Sequence, residues 1–216
     1  MKNCFELMLP RLYKQGILPV FCPKTETELD TFLDAVAHSP LTAVEITLRS
    51  EVAVGAIEKI KNRVPSLFVG AGTVLSEDIL EIAVSAGADF LVAPGYSMPL
   101  LDKAKEKGMD FLPGCSTPTE IQNAGIRGFS TVKYFPAEQS GGVSALTLYR
   151  GAFAGTSFIP TGGITLSNLS SYLALDNVLA CGGSFMLPKD MMKKGDSEGI
   201  YNTIMECLRI RGGQDE

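Results

Sequence analysis

The chain has 216 residues, 45% of them hydrophobic, with a net charge of -5, one histidine and five cysteines. The acidic balance gives no support to a nucleic-acid role, and one histidine cannot build a His-rich metal site or, with no Gly-x-Ser-x-Gly elbow, a Ser-His-Asp triad. An odd number of cysteines without a Cys-x-x-Cys pair argues against a disulfide framework or a zinc site and suits a reducing cytoplasm.

No apolar run approaches the roughly 20 residues that span a bilayer, and Met1 to Glu6 lack the continuous apolar stretch of a signal peptide. A cytoplasmic protein without a membrane partner is therefore expected. Residues 1–15 predict an amphipathic helix, started or interrupted at Pro10. Short apolar, β-branched runs then recur, each followed by a turn and a helical pattern. They begin near Ile17 (ILPVFC), Ala43 (AVEITL), Leu67 (LFVGAG), Asp89 (DFLVAP), Met109 (MDFLP), Ser130 (STVKYF), Ser157 (SFIPTG) and Val178 (VLACGG). Thr25-Glu26-Thr27-Glu28 and Thr117-Pro118-Thr119-Glu120 fit capping boxes, and Ser76 opens a helix that ends at Gly87. His38, before Ser39-Pro40, reads as a helix-end residue.

Eight strand-helix units predict an α/β fold, a (β/α)8 TIM barrel with an extra N-terminal helix, in a single domain of residues 1–216. Residues 189–216 form its C-terminal helix and tail, Arg211 to Glu216 being tail-like. The competing fold is a doubly wound open sheet, which usually shows Gly-x-Gly-x-x-Gly after its first strand. That turn here reads Cys22-Pro23-Lys24-Thr25. The nearest match, Gly70-Ala71-Gly72-Thr73-Val74-Leu75, lacks the third glycine and follows the third strand.

In a barrel, active sites gather at the carboxyl ends of the strands. Lys133 lies inside a β-branched and aromatic strand. Desolvation there disfavours its charged form, and a neutral amine can attack a ketone to form a Schiff base. Otherwise Lys133 is a lysine at a strand mouth with its ammonium in water. Strand alternation groups Lys133 with Thr131 and Phe135, and Glu45 with Thr47 and Arg49. Val44, Ile46 and Leu48 take the opposite face, toward helices. A structural Glu45–Arg49 ion pair is the alternative to a working carboxylate. Pro160-Thr161-Gly162-Gly163-Ile164 and Cys181-Gly182-Gly183-Ser184-Phe185 follow strands seven and eight. Loops there, leading into helix N-termini, form the recurrent phosphate site of this fold. Thr73 and Pro94 stand at the ends of strands three and four.

Val44-Glu45-Ile46-Thr47-Leu48-Arg49, Gly70-Ala71-Gly72-Thr73-Val74-Leu75, Pro113-Gly114 with Thr117 to Glu120, Lys133-Tyr134-Phe135-Pro136-Ala137-Glu138, Pro160 to Ile164 and Gly182-Gly183-Ser184 resemble the motif set of the 2-keto-3-deoxy-6-phosphogluconate (KDPG) aldolase and 4-hydroxy-2-oxoglutarate (KHG) aldolase family. The resemblance runs from about residue 15 to residue 188. It implies a class I aldolase, usually a homotrimer of barrels, that cleaves KDPG to pyruvate and glyceraldehyde 3-phosphate or KHG to pyruvate and glyoxylate. No cofactor is implied beyond a covalent lysine imine. By resemblance Lys133 forms the imine, Glu45 moves protons, Arg49 and Thr73 hold the pyruvate carboxylate, and Thr161 governs stereochemistry at the aldehyde carbon. Pro94, Phe135, Gly162, Gly163, Gly183 and Ser184 complete the expected substrate-binding set, with no metal. Two departures are Cys22-Pro23, where some relatives place an arginine, and Phe185, where a tryptophan is common. Two other functions fit a barrel: a metal-dependent sugar-phosphate isomerase, decarboxylase or class II aldolase, and a non-catalytic barrel that binds a phosphorylated metabolite.

Overall fold

The computed structural model describes residues 4–212; the rest of the tail-like stretch, from Gly213 on, lies outside them. Helix α1 (Cys4–Gln15) comes first. Strands β1 (Ile17–Phe21), β2 (Ala43–Thr47), β3 (Phe68–Gly72), β4 (Phe90–Val92), β5 (Asp110–Leu112), β6 (Gly114–Cys115), β7 (Thr131–Tyr134), β8 (Ser157–Pro160) and β9 (Cys181–Gly183) follow. Between them run α2 (Glu26–Val36), α3 (Glu51–Arg63), α4 (Glu77–Ser85), α5 (Met98–Glu106), α6 (Pro118–Ile126), α7 (Gly142–Ala152) and α8 (Leu166–Leu173), and α9 (Lys189–Lys194) and α10 (Ser197–Gly212) close the order.

The local signals explain most of these boundaries. The Thr117–Glu120 capping box closes as read. Thr25 caps α2 by accepting the Glu28 N–H at 3.2 Å, but the Glu28 carboxylate reaches one residue further back, to the Lys24 N–H at 2.8 Å. Helix α1 runs unbroken through Pro10. Met8 and Leu12, on either side of it, are buried, and their packing outweighs the hydrogen bond that proline cannot make. The eighth run keeps only Cys181 to Gly183 as regular strand, with Val178 making a single bridge to Phe158. The C-terminal segment is two helices. Arg211 is an anchor: it is 5% exposed, donates to the Leu173 carbonyl at 3.0 Å and stacks 4.2 Å from the centroid of the Tyr13 ring.

The protein is an α/β fold in which the strand pairs are parallel. One sheet has the order β5-β4-β3-β2-β1-β9 and the other β6-β7-β8. Strand neighbours follow chain order, and the last strand lies beside the first. A doubly wound sheet instead reverses its order at a central switch point. Strand β6 continues β5 past Pro113, whose carbonyl accepts the Lys133 N–H at 2.9 Å. At the far side, bridges Phe158↔Val178 and Thr161↔Gly182 link β8 to the β9 segment.

Alternation along each strand sorts side chains into two cores. Val44, Ile46, Val69, Ala71, Val132, Tyr134 and Phe158 pack with the helices in the larger cluster. Leu18, Ala43, Phe90, Val92, Leu112 and Ile159 face inward, and Met8 and Leu12 of α1 join them. Each of the Val, Leu, Ile, Phe and Met side chains among them contributes about 1.5–3 kcal/mol on burial. Phe68, Phe90 and Asp110 begin their strands, and the Phe5 N–H donates to Asp110 at 2.7 Å. Helix α1 therefore lies across the amino ends of the strands, and the inward polar residues lie farther along, toward the carboxyl ends.

Candidate active site

Lys133 is 5% exposed and Glu45 1%. Lys133 Nζ lies 2.9 Å from Glu45 Oε1 and 3.0 Å from Oε2, and 5.5 Å from the centroid of the Phe135 ring. The ammonium-in-water alternative is thereby excluded. The partner of Glu45 is Lys133 rather than Arg49. Strand β2 ends at Thr47 and the chain turns, the Arg49 N–H donating to the Thr47 carbonyl at 2.8 Å. Alternation no longer governs Arg49, which is exposed. Its guanidinium has no ion-pair or hydrogen-bond partner among the described residues, so it is free to take an anion from solvent.

Two buried charges are tolerated because each satisfies the other. The carboxylate is within reach of the proton that must leave an ammonium before the amine can attack a carbonyl carbon. Gly72 makes the approach possible: a Cβ there would sit 2.3 Å from Glu45 Oε1. The pairing spans 88 residues of chain, so no local pattern could have revealed it. In the β2–β3 register Glu45 aligns with Gly70, and the bare Gly72 two residues on leaves room for its carboxylate.

Thr73 follows directly and adopts φ +64°. A β-branched residue in the left-handed region is a true outlier, costing about 1–3 kcal/mol. Thr73→Gly should therefore raise the unfolding free energy measured in urea by about 1 kcal/mol after the entropy of the added glycine is deducted, while lowering kcat/KM. Unchanged kinetics would show that the strain serves only the turn, in which the buried Val74 donates to the Val92 carbonyl at 3.1 Å.

Thr161 is 6% exposed and its hydroxyl makes one long hydrogen bond, 3.4 Å, to the Ile159 carbonyl. Gly182 lies against it, where a Cβ would stand 2.3 Å from Thr161 Oγ1. Gly162 and Gly163 have φ +100° and +82°. The carbonyls of this loop are turned away and engaged: Thr161 by the Ala137 N–H at 2.8 Å, Gly162 by the Glu138 N–H at 3.1 Å, and Gly163 by Asn168 Nδ2 at 3.1 Å. The N–H groups of Gly162, Gly163 and Ile164 have no acceptor among the described residues. Such a run of free donors is an anion cradle. Helix α8 follows it, as expected.

The loop after β9 differs from expectation. Ser184 is exposed, and the Leu187 N–H donates to its carbonyl at 3.0 Å, so a turn follows Gly183 rather than a helix. Glycine allows the backbone torsions but the helix is delayed to Lys189, after Pro188. Pro94 is half-buried, with its carbonyl carbon packed on Gly114 so closely that a Cβ there would lie 2.2 Å away. Cys22 is half-buried at the end of β1, and the Pro23 carbonyl accepts from Ser50.

Among the described residues no group of three or more His, Cys, Asp or Glu side chains could hold a metal ion, and none of the helices is long and apolar enough to cross a membrane. A cavity of about 650 Å³ lies elsewhere, lined by Phe5, Leu9, Met109, Phe129 and Thr131 beside α1 and the starts of β5 and β7, without Lys133 or Glu45. Sequence reasoning missed the contacts of Glu138 and Tyr172, whose side chains hydrogen-bond next to the anion cradle.

These features define a parallel α/β protein with a lysine–carboxylate pair buried between strands and an anion cradle at a strand end. The family model for KDPG and KHG aldolase matches residues 9–203. The chain belongs to that family. It is 43% identical over 192 residues to the 2-dehydro-3-deoxy-phosphogluconate aldolase of Pseudomonas aeruginosa, covering 89% of this chain and 87% of the relative. The KHG/KDPG aldolase of Escherichia coli K12 is 39% identical, with 89% and 90% covered. Among solved structures, KDPG aldolase from Legionella pneumophila, with pyruvate captured as a covalent carbinolamine intermediate, superposes with a TM-score of 0.86 at 30% identity, covering 91% of this chain and 96% of that one.

Proposed function

We propose that the chain is a class I, Schiff-base aldolase that cleaves KDPG reversibly to pyruvate and glyceraldehyde 3-phosphate, and also KHG to pyruvate and glyoxylate. The observation that carries this reading is the buried Lys133–Glu45 pair at 2.9 Å. The covalent carbinolamine of pyruvate captured in the Legionella relative supports it. Glu45 accepts a proton from Lys133, and the free amine attacks the C2 ketone. Glu45 returns that proton to the carbinolamine hydroxyl, which departs as water and leaves a protonated imine. Glu45 then takes the C4 hydroxyl proton. The C3–C4 electrons pass to the imine nitrogen, giving an enamine, and the aldehyde departs. Protonation at C3 and hydrolysis release pyruvate and the amine. No cofactor is needed, and turnover should be insensitive to EDTA.

In this reading Arg49 and Thr73 hold the substrate carboxylate, Phe135 and Pro94 wall the site, Thr161 contacts the C4 oxygen, and the Gly162–Gly163 cradle with Gly183 and Ser184 takes the phosphate. The scaffold is one domain, a closed eight-stranded barrel in which β5 and β6 count as one strand and the β8–β9 bridges complete the ring, with α1 as its extra helix. By family resemblance it works as a cytoplasmic homotrimer, and a native mass three times that of the chain is expected.

Trapping tests the reading. Sodium borohydride with pyruvate should add one reduced three-carbon unit to the peptide containing Lys133; a label on another lysine, or none, overturns it. Ser184→Ala should lower kcat/KM for KDPG by about tenfold or more, since a hydrogen bond to a charged group contributes about 1.5–3 kcal/mol. KHG, without a phosphate, should be turned over as before; equal losses would place the phosphate elsewhere.

A further inference from the structure

The strand that carries Lys133 continues into a turn that grips the anion cradle. The Tyr134 hydroxyl donates to the Ser140 carbonyl and pins that turn. From within it, the Ala137 and Glu138 N–H groups hold the Thr161 and Gly162 carbonyls. The Glu138 side chain lies flat against the bare Cα of Gly163, where a Cβ would stand 2.4 Å from Glu138 Cγ. Its Oε1 accepts a hydrogen bond from the Tyr172 hydroxyl. Tyr172 belongs to α8, the helix that starts just past the cradle, and is fully buried. Burial, and then the Glu138 carboxylate, hold its phenol well above the usual tyrosine range, so it stays a donor.

A carboxylate beside an anion cradle repels the anion it serves. Its place there makes sense as a mechanical link, one end on Gly162 and Gly163 and the other on the helix behind them. We propose that Glu138 and Tyr172 are a positioning pair, which fixes the geometry of the free N–H groups of the cradle and, with it, their distance from the amine of Lys133. This rests on the aldolase reading above. Substrates that carry a phosphate at the end remote from the ketone need that spacing; shorter, unphosphorylated 2-keto acids do not.

Two variants separate the link from the charge. Tyr172→Phe keeps the buried ring and removes the hydroxyl. Glu138→Gln keeps an acceptor for that hydroxyl and removes the charge. Tyr172→Phe should raise KM for KDPG about tenfold, with kcat within about twofold and KHG kinetics unchanged. The affinity for inorganic phosphate, titrated by calorimetry, should fall in parallel. Glu138→Gln should bind phosphate as well as the wild type or better. Equal damage to both substrates by Tyr172→Phe, or an unaltered phosphate affinity, overturns the pair. So does Glu138→Gln behaving like Tyr172→Phe, which would make the charge the active feature. A wild-type protein that releases pyruvate from neither substrate would instead overturn the aldolase reading, while the phosphate titration still decides the pair.

Discussion

Replacing Lys133 with methionine is expected to abolish both turnover and pyruvate-dependent borohydride labelling, because no other described lysine is buried against a carboxylate. The same substitution strands Glu45, 1% exposed, without its counter-charge. Removing one partner of a buried pair costs about 3–5 kcal/mol, so the urea midpoint should drop well below that of the wild type. Adding Glu45→Leu to Lys133→Met should recover most of that loss, since an apolar replacement of a whole buried pair is often neutral or better. A double variant less stable than either single one would mean that the two residues do not act as a pair. Activity and stability are thus separable: the double variant should be firm and inert.

Glu45→Gln is the second large effect. The amide cannot carry the C4 hydroxyl proton, and general acid–base groups contribute about a hundredfold to ten-thousandfold. Cleavage of KDPG and proton exchange at the pyruvate methyl should slow by that range, while pyruvate trapping on Lys133 persists at a reduced rate. A variant within about threefold of wild type in cleavage would reduce Glu45 to a counter-ion for the ammonium. The test is single-turnover cleavage alongside trapping, because the first follows the proton and the second follows the amine.

Strand positions were legible because parallel strands buried on both faces write themselves as apolar runs. The inward turn of Glu45 and Lys133 was legible because strand alternation has a fixed period of two. The alternative Glu45–Arg49 ion pair failed for the same reason in reverse: alternation does not extend two residues past the end of β2, where a turn has already broken it. The helix expected after Gly183 failed on similar grounds, a glycine pair permitting a turn as readily as a helix start. Pro10 misled in the other direction, since the burial of Met8 and Leu12 is a tertiary fact that propensity does not contain. The pairs Lys133–Glu45 and Glu138–Tyr172 join residues 88 and 34 positions apart, and only the assembled sheet brings them together.

The lie of α1 has a consequence for biosynthesis. It is made before any of the strands it packs on, yet its Phe5 N–H binds Asp110, 105 residues later. The strand after it pairs on one side with residues 181–183. Contacts of such long sequence separation form slowly, because the loop between them must close before they return any free energy. A nascent chain therefore carries an unpaired β1 edge and an incompletely docked amphipathic helix until residues 181–183 have been made. That interval is when the chain is most exposed to association with its neighbours, and chaperones would matter most to it then.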